Sequence, residues 1–312
     1  MSRVLVTGGA GFIGSHVCEV LCEMGYEVTA LDNLFLGKWR NLDEVPCDRV
    51  YASAREILHL RKKYDVIVHL GQPSSSPMYR RDPELVADVI KDMITVLKAA
   101  EKWGARVILG SSSSVYIGNP VPWREDMSIK PRDWYTEAKY MCERLCYLWA
   151  LRRGVECVAL RLFSVFGERE EHKCGYANVI TQMIWAALRG DTFHIYGDGM
   201  QTRDLIYVKD VALAVAKAIE YDFDGKIPHY QVFNVGRGIA YSFLTMAELL
   251  RKNGLKVRLS LGHKEPPFYI RHTLADTTKM IHELGFTPQY RVEEVLPKVI
   301  DYYRNIFCRE DE

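Results

Sequence analysis

Residues 4–17 read VLVTGGAGFIGSHV: a β-branched run, four glycines within seven positions, and then residues suited to a helix. A chain that passes this abruptly from strand to helix needs backbone freedom at the join, and that need narrows the architecture more than any other feature. Gly8 permits the tight turn, Gly11 lets backbone N–H groups approach a pyrophosphate, and Gly14 lets the helix pack closely on the strand. The helix that opens at Phe12 and Ile13 then directs its N-terminus at the anion. Glycine-rich turns also join strands to helices that bind nothing, so the surroundings decide. Eighteen residues after Gly14, ending the second strand pattern, stands Asp32. A carboxylate there accepts hydrogen bonds from the adenosine ribose and repels a 2′-phosphate, favouring NAD over NADP. Asp32 with Asn33 also reads as a simple turn or helix cap.

The runs RVLVTG, EVTALD, DVIVHLG, ARVILGSS and VECVALRLF alternate with helical periodicity near residues 12–24, 83–102 and 134–153. That rhythm predicts βαβ units and a parallel sheet covered on both faces. After residue 165 it loosens into helices at 177–189, 209–220, 243–252, 277–284 and 292–305, interspersed with FHIYGDGMQTRDLIYV, YQVFNVG and KVRLS. The expected fold is α/β: a Rossmann-type doubly wound sheet over residues 1–165, and a smaller α/β lobe over 166–312 whose chain partly returns to that sheet. Ser74–Ser76 and Ser111–Ser114 both follow predicted strands, at the edge where α/β proteins place ligands.

With 48% hydrophobic residues the chain can bury a full core, and its net charge of +1 offers no basic block to track nucleic acid. No apolar run approaches the ~20 residues of a membrane span, and no export signal is visible, so a cytoplasmic protein is expected. Eight scattered cysteines without C-x-x-C or HExxH predict buried thiols and no metal.

In YTEAK, Tyr135 and Lys139 stand four apart and share one helix face. An ammonium beside a phenol stabilises the phenolate, so the tyrosine pKa is expected below its usual ~10, making a base near neutral pH. With 18 tyrosines, about one Y-x-x-x-K arises by chance, so spacing alone proves nothing. Ser112, just past the strand ARVIL, could share a proton with that phenol and a substrate hydroxyl.

Taken together, TGGAGFIGSHV, DNLFLGK, VIVHL, SSSSVY, YTEAK, RLFSVFG, IYGDGMQTRDLIYVKDVA, FNVG and RHTLAD resemble, in order and spacing, the extended short-chain dehydrogenase/reductase family. Within it the likeness is to NAD-dependent nucleotide-sugar epimerases and dehydratases, in motif style nearest the UDP-glucose (UDP-galactose) 4-epimerases. The resemblance implies NAD in the N-terminal lobe, held by the glycine loop, Asp32, Asn33 and Leu70, and a nucleotide sugar, UDP favoured, in the C-terminal lobe. It implies Tyr135 as catalytic base, Lys139 as its partner and nicotinamide-ribose ligand, and Ser112 completing the proton path. Ser114 would add a sugar contact. Ser164 stands where the family has an asparagine on the substrate side. Asn178, Tyr196 and Arg203 would hold the nucleotide diphosphate, Tyr196 stacking on the base and Arg203 against phosphate, with Arg271 a further phosphate candidate and Thr273 facing the sugar's 2-substituent. Arg203 could instead pair with Asp204 or Asp210. A homodimer through the two long helices is implied, with Leu85, Val89, Met93, Leu145 and Leu148 on its face, although these residues fit an intrachain core as well.

Several positions depart from the family pattern. Ser53 replaces an adenine-recognising aspartate, HLAA becomes His69-Leu70-Gly71-Gln72, an asparagine becomes Val89, and a Gly-Asp becomes Phe268-Tyr269. Ser113 and Ser114 stand where 4,6-dehydratases carry Asp-Glu, and Ser114 also where 3,5-epimerases and fucose synthases carry cysteine. Epimerisation at C4 is the leading expectation; C2 epimerisation, dehydration, reduction and a non-catalytic dinucleotide sensor are the alternatives.

Overall fold

The computed structural model describes residues 2–310. Seven parallel strands form the main sheet: β1 (Arg3–Thr7), β2 (Glu27–Asp32), β3 (Asp48–Tyr51), β4 (Val66–His69), β5 (Arg106–Ser112), β6 (Cys157–Leu162) and β10 (Tyr230–Val235). Their order, β10-β6-β5-β4-β1-β2-β3, is doubly wound about β1 and β4, and β10 is the return of the later chain to the sheet. Alternation along β1 explains why both faces need cover. Val4 and Val6 pack with Val17 and Leu21 of α1 (Phe12–Glu23) and Val211 and Val215 of α6 (Val208–Ile219). Leu5 joins Met93 and Leu97 of α3 (Leu85–Trp103) and Cys142 of α4 (Trp134–Arg153) on the other face.

The single run FHIYGDGMQTRDLIYV divides into β8 (Thr192–Tyr196) and β9 (Thr202–Tyr207), which serve different small sheets. β9 lies between β7 (Ser164–Phe166) and β11 (Ala240–Ser242); β8 pairs with β12 (Arg258–His263). The remaining helices are α2 (Ser76–Arg81), α5 (Val179–Arg189), α7 (Phe243–Lys252), α8 (Thr278–His282) and α9 (Val292–Glu310).

Two expectations need correction. Val89 and Met93 are fully buried against the chain's own sheet and cannot face a second subunit, whereas Leu148 is exposed beside Leu151 and Met141 on α4. The cysteines are not all buried: Cys174 and Cys308 are exposed, Cys22 and Cys47 half-buried. Among the described residues no helix is long and apolar enough to cross a membrane, and no three metal-ligating side chains cluster.

One polar cluster crosses this apolar core. Arg161 on β6 donates from Nε (3.0 Å) and Nη2 (2.7 Å) to the Glu143 carboxylate on α4, both side chains at most 4% exposed. Ser111 Oγ donates to the same carboxylate at 2.6 Å. Arg161 Nη1 also donates to the Tyr116 hydroxyl, which donates to Asn234 Oδ1 on β10, each at 2.7 Å. Removing one partner strands a buried charge, so Arg161→Met should cost about 3–5 kcal/mol in chemical denaturation, and Arg161→Met/Glu143→Leu should recover most of it. A single variant of parental stability would show that the pair does not bear on folding.

Candidate active site

Gly8 sits at φ +70°, and a Cβ there would come within 2.8 Å of Gly71 Cα, so the β1 and β4 loops touch backbone to backbone. A Cβ on Gly14 would collide with the Gly8 carbonyl oxygen. Its role is thus to seat α1 on the turn rather than on the strand. No side chain caps α1 and no acid stands in its first turn, which suits it to an anion. Asp32 closes the cradle: its Oδ2 accepts from Ala10 N (3.0 Å) and its Oδ1 from Leu34 N (2.7 Å). Burial pushes its pKa up and these backbone donors oppose that shift. The carboxylate therefore anchors the glycine loop, makes its own turn, and still lines the cavity. Exposed Asn33, also on the cavity wall, accepts from Phe35 N.

That cavity, of about 720 Å³, runs from Gly8, Gly11, Phe12, Ile13 and Gly14 past Asp32 and Leu70 to Ser112, Tyr135 and Lys139, and on to Ser164, Asn178, Arg203 and Thr273. Its glycine cradle, open helix end and ribose-side carboxylate fit NAD.

Tyr135 is buried at the start of α4, where Asp133 caps the helix by accepting from Thr136 N at 2.8 Å. Burial pushes the phenol up to about 12; a hydrogen bond with Ser112 opposes the shift and the Asp133 carboxylate adds to it. The expected fall in this pKa is thus reversed. Lys139 Nζ lies 5.8 Å from the Tyr135 ring centroid, but it is committed elsewhere, donating to Gln72 Oε1 (2.6 Å) and Gly110 O (3.1 Å). Burial pulls the ammonium down to about 8. The site rests as a neutral phenol near the Ser112 hydroxyl, beside a cation.

On the substrate side, Ser114 and Arg203 line both this cavity and an adjoining one of about 790 Å³. Arg203 does not pair with Asp204 or Asp210. Asp204 accepts from Arg237 N (2.8 Å), Gly238 N (3.0 Å) and Ala275 N (2.9 Å), and Asp210 from Gln289 N (2.7 Å) and Tyr290 N (3.1 Å). The guanidinium donates to backbone carbonyls and lies against the Phe243 and Tyr269 rings. Among the described residues no carboxylate pairs with it, leaving a desolvated cation open to an anion. Thr273 Oγ1 accepts from Asp204 N at 3.0 Å. Asn178 caps α5 by accepting from Ile180 N, while its Nδ2 donates to Val165 O.

Tyr196 and Arg271 line neither cavity. Tyr196 is exposed and packs edge-on against Tyr269, and Arg271 pairs with Glu265 (3.1 Å) and Asp198 (3.3 Å). Phe268 and Tyr269 wall the second cavity, Val89 lines the first, and Ser53 is tied to Glu56 in a capping box. His172 and Lys173, which no sequence motif marks, join the wall at the α1 end, Lys173 Nζ lying 5.3 Å from the Phe12 ring centroid. Gln72 departs from the family pattern, and nothing local in the sequence marks it as the partner of Lys139.

The model of the family described as "NAD dependent epimerase/dehydratase family" matches residues 4–236. UDP-glucuronic acid decarboxylase 1 of Xenopus tropicalis is 31% identical over 316 residues, covering 97% of this chain and 72% of that protein. Two solved structures superpose closely. A UDP-N-acetylglucosamine 4-epimerase from Methanobrevibacter ruminantium M1, in complex with UDP-N-acetylmuramic acid, has a TM-score of 0.90 at 31% identity, covering 98% of this chain and 99% of that one. A UDP-glucose 4-epimerase from Thermotoga maritima, with UDP-glucose, has a TM-score of 0.89 at 30% identity, with the same coverage.

Asp32 should set cofactor choice. NAD should bind far more tightly than NADP, and Asp32→Ala should narrow the gap; equal affinities by calorimetry in the parent protein would remove Asp32 from the ribose site.

Proposed function

The chain belongs to the NAD-dependent epimerase/dehydratase family, and from that premise we propose that it epimerises a UDP-hexose at C4 through a 4-keto sugar. One observation carries this reading: every carboxylate lining the cavity that holds Ser112 and Tyr135 is already engaged. Asp32 holds backbone N–H groups, Asp88 and Asp92 hold Arg55, and Glu170 holds Lys173, Asn178 N and Thr181. Ser112 and Tyr135 remain as the acid–base pair at the sheet edge. A redox-neutral inversion needs one such pair, whereas removing water would need a second acid and base.

Tyr135 acts as its phenolate, formed when the resting phenol releases its proton; relayed by Ser112, the phenolate takes the proton of the 4-hydroxyl and later gives it back. NAD, held along Gly8, Gly11, Gly14 and Asp32, would supply a reversible hydride acceptor for C4. Lys139 keeps positive charge beside the Tyr135 phenolate that starts the exchange, and burial of Tyr135 excludes water from it. Arg203 takes the diphosphate, and Thr273 stands beside the sugar's 2-substituent, admitting an acetamide. Ser164 and Asn178 border the same ligand. A cytoplasmic homodimer joined through the exposed Met141, Leu148 and Leu151 of α4 accompanies this reading.

The decarboxylase relative favours a second reading. On a UDP-uronic acid, the same C4 oxidation creates a β-keto acid; the C5–C6 bond then breaks, CO₂ leaves, C5 is reprotonated, and the hydride removed from C4 is restored there to give the pentose. Product chromatography separates the two: UDP-glucose converted to UDP-galactose supports epimerisation, and UDP-glucuronic acid converted to a UDP-pentose, with UDP-glucose untouched, overturns it.

Tyr135→Phe should retain NAD binding and lose at least ~100-fold in turnover; near-normal turnover would remove Tyr135 from proton transfer. Thr273→Tyr should depress kcat/KM for UDP-N-acetylglucosamine relative to UDP-glucose by steric exclusion, and an unchanged ratio would place Thr273 away from the 2-substituent.

A further inference from the structure

We propose that Gln72 is the positioning residue of Lys139: its side-chain carbonyl holds the ammonium against β5 and leaves one N–H for the cofactor ribose. The inference rests on the C4-oxidation reading for its purpose, and on geometry for its substance. An ammonium has three donors. Two are committed, to Gln72 Oε1 at 2.6 Å and Gly110 O at 3.1 Å, and Lys139 lines the cavity. Among the described residues Gln72 is the only side chain hydrogen-bonded to Nζ. The ammonium also fixes which way the amide faces, since the reverse orientation would set N–H against N–H. The Gln72 Nε2 then lies 3.7 Å from Cys142 Sγ, and its backbone N donates to Leu70 O at 2.8 Å, so the side chain bridges the β4 loop to α4.

The other groups around Lys139 do not substitute for this contact. On α4, Glu143 is neutralised by Arg161, and the buried Cys142 thiol is pushed up to about 12. On β4, buried His69 is pushed down to about 3 and its Nδ1 is bonded to Thr7 Oγ1, so it carries no charge. Tyr135 rests neutral one turn earlier. In a pocket that pulls the ammonium down to about 8, a carbonyl at 2.6 Å favours its charged form. In the segment resembling HLAA, glutamine stands at this position in place of the motif's alanine.

The test uses Gln72→Met, close in volume but without an acceptor, and Gln72→Glu, which adds a carboxylate. NAD affinity of the full-length protein is measured by calorimetry across the alkaline range, with Lys139 ionisation followed by NMR of isotope-labelled lysine. Affinity should fall as the ammonium deprotonates. The methionine variant should move that fall to lower pH and the glutamate variant to higher pH, each by about one unit. Shifts in the same direction, or none, would overturn the proposal, since a purely structural glutamine would alter stability without opposite displacements. Should the methionine variant not fold, the glutamate variant decides alone, by an upward shift or its absence. Neither readout requires sugar turnover, so failure to convert any UDP-sugar would sink the epimerase reading and leave this result standing.

Discussion

The ion pair between Arg161 and Glu143 is the contact on which the geometry of the site depends. It is almost wholly buried, and a pair so placed repays its desolvation only when its remaining hydrogen-bonding capacity is filled. Here it is filled by Ser111 and Tyr116, and through Tyr116 by Asn234. The pair therefore ties α4 to β5, β6 and β10 at once. Tyr135, Lys139 and Glu143 follow one another at four-residue intervals on α4, so fixing the last of them fixes the rotation of the helix. Ser111 and Ser112 are consecutive on β5, with side chains on opposite faces of the strand path. The same carboxylate thus registers both halves of the proton path.

Burial then sets the electrostatics in a direction opposite to that suggested by spacing. A phenol and an ammonium four residues apart suggest mutual attraction. In this pocket desolvation acts on each group separately and favours the neutral form of both, raising Tyr135 and lowering Lys139. What keeps the lysine charged is a local acceptor, and what keeps the tyrosine ready is the Ser112 hydroxyl. Neither effect belongs to the Y-x-x-x-K motif itself.

This marks where legibility in the sequence ends. The glycine turn, the Asp32 carboxylate and the alternating strands were readable because each rests on local backbone geometry or on periodicity of 2 and 3.6 residues. For Asp32 the sequence offers a ribose contact or a turn as alternatives; the turn is present, and the carboxylate also lines the cavity. Burial of Tyr135 was not readable, because it depends on the packing of α2, α3 and α4. Nor were the outward turn of Tyr196, which follows from the edge position of β8, and the ion pairs that hold Arg271 at the surface. His172 and Lys173 lie in an irregular segment without a period to read.

Arg203 shows the same limit from the substrate side. Sequence adjacency offers it Asp204, yet neighbours along a strand point to opposite faces. Asp204 turns inward and accepts N–H groups from residues 237, 238 and 275, while its own N–H goes to Thr273 Oγ1. One buried aspartate thereby pins the segment carrying Thr273 against β9 and, being fully engaged, leaves the neighbouring guanidinium without a counter-charge. The cation that faces the two cavities and the threonine beside it are consequences of one clamp. The diphosphate contact and the sugar wall in the proposed complex are therefore mechanically linked: loosening Asp204 would displace Thr273 from the strand that carries Arg203.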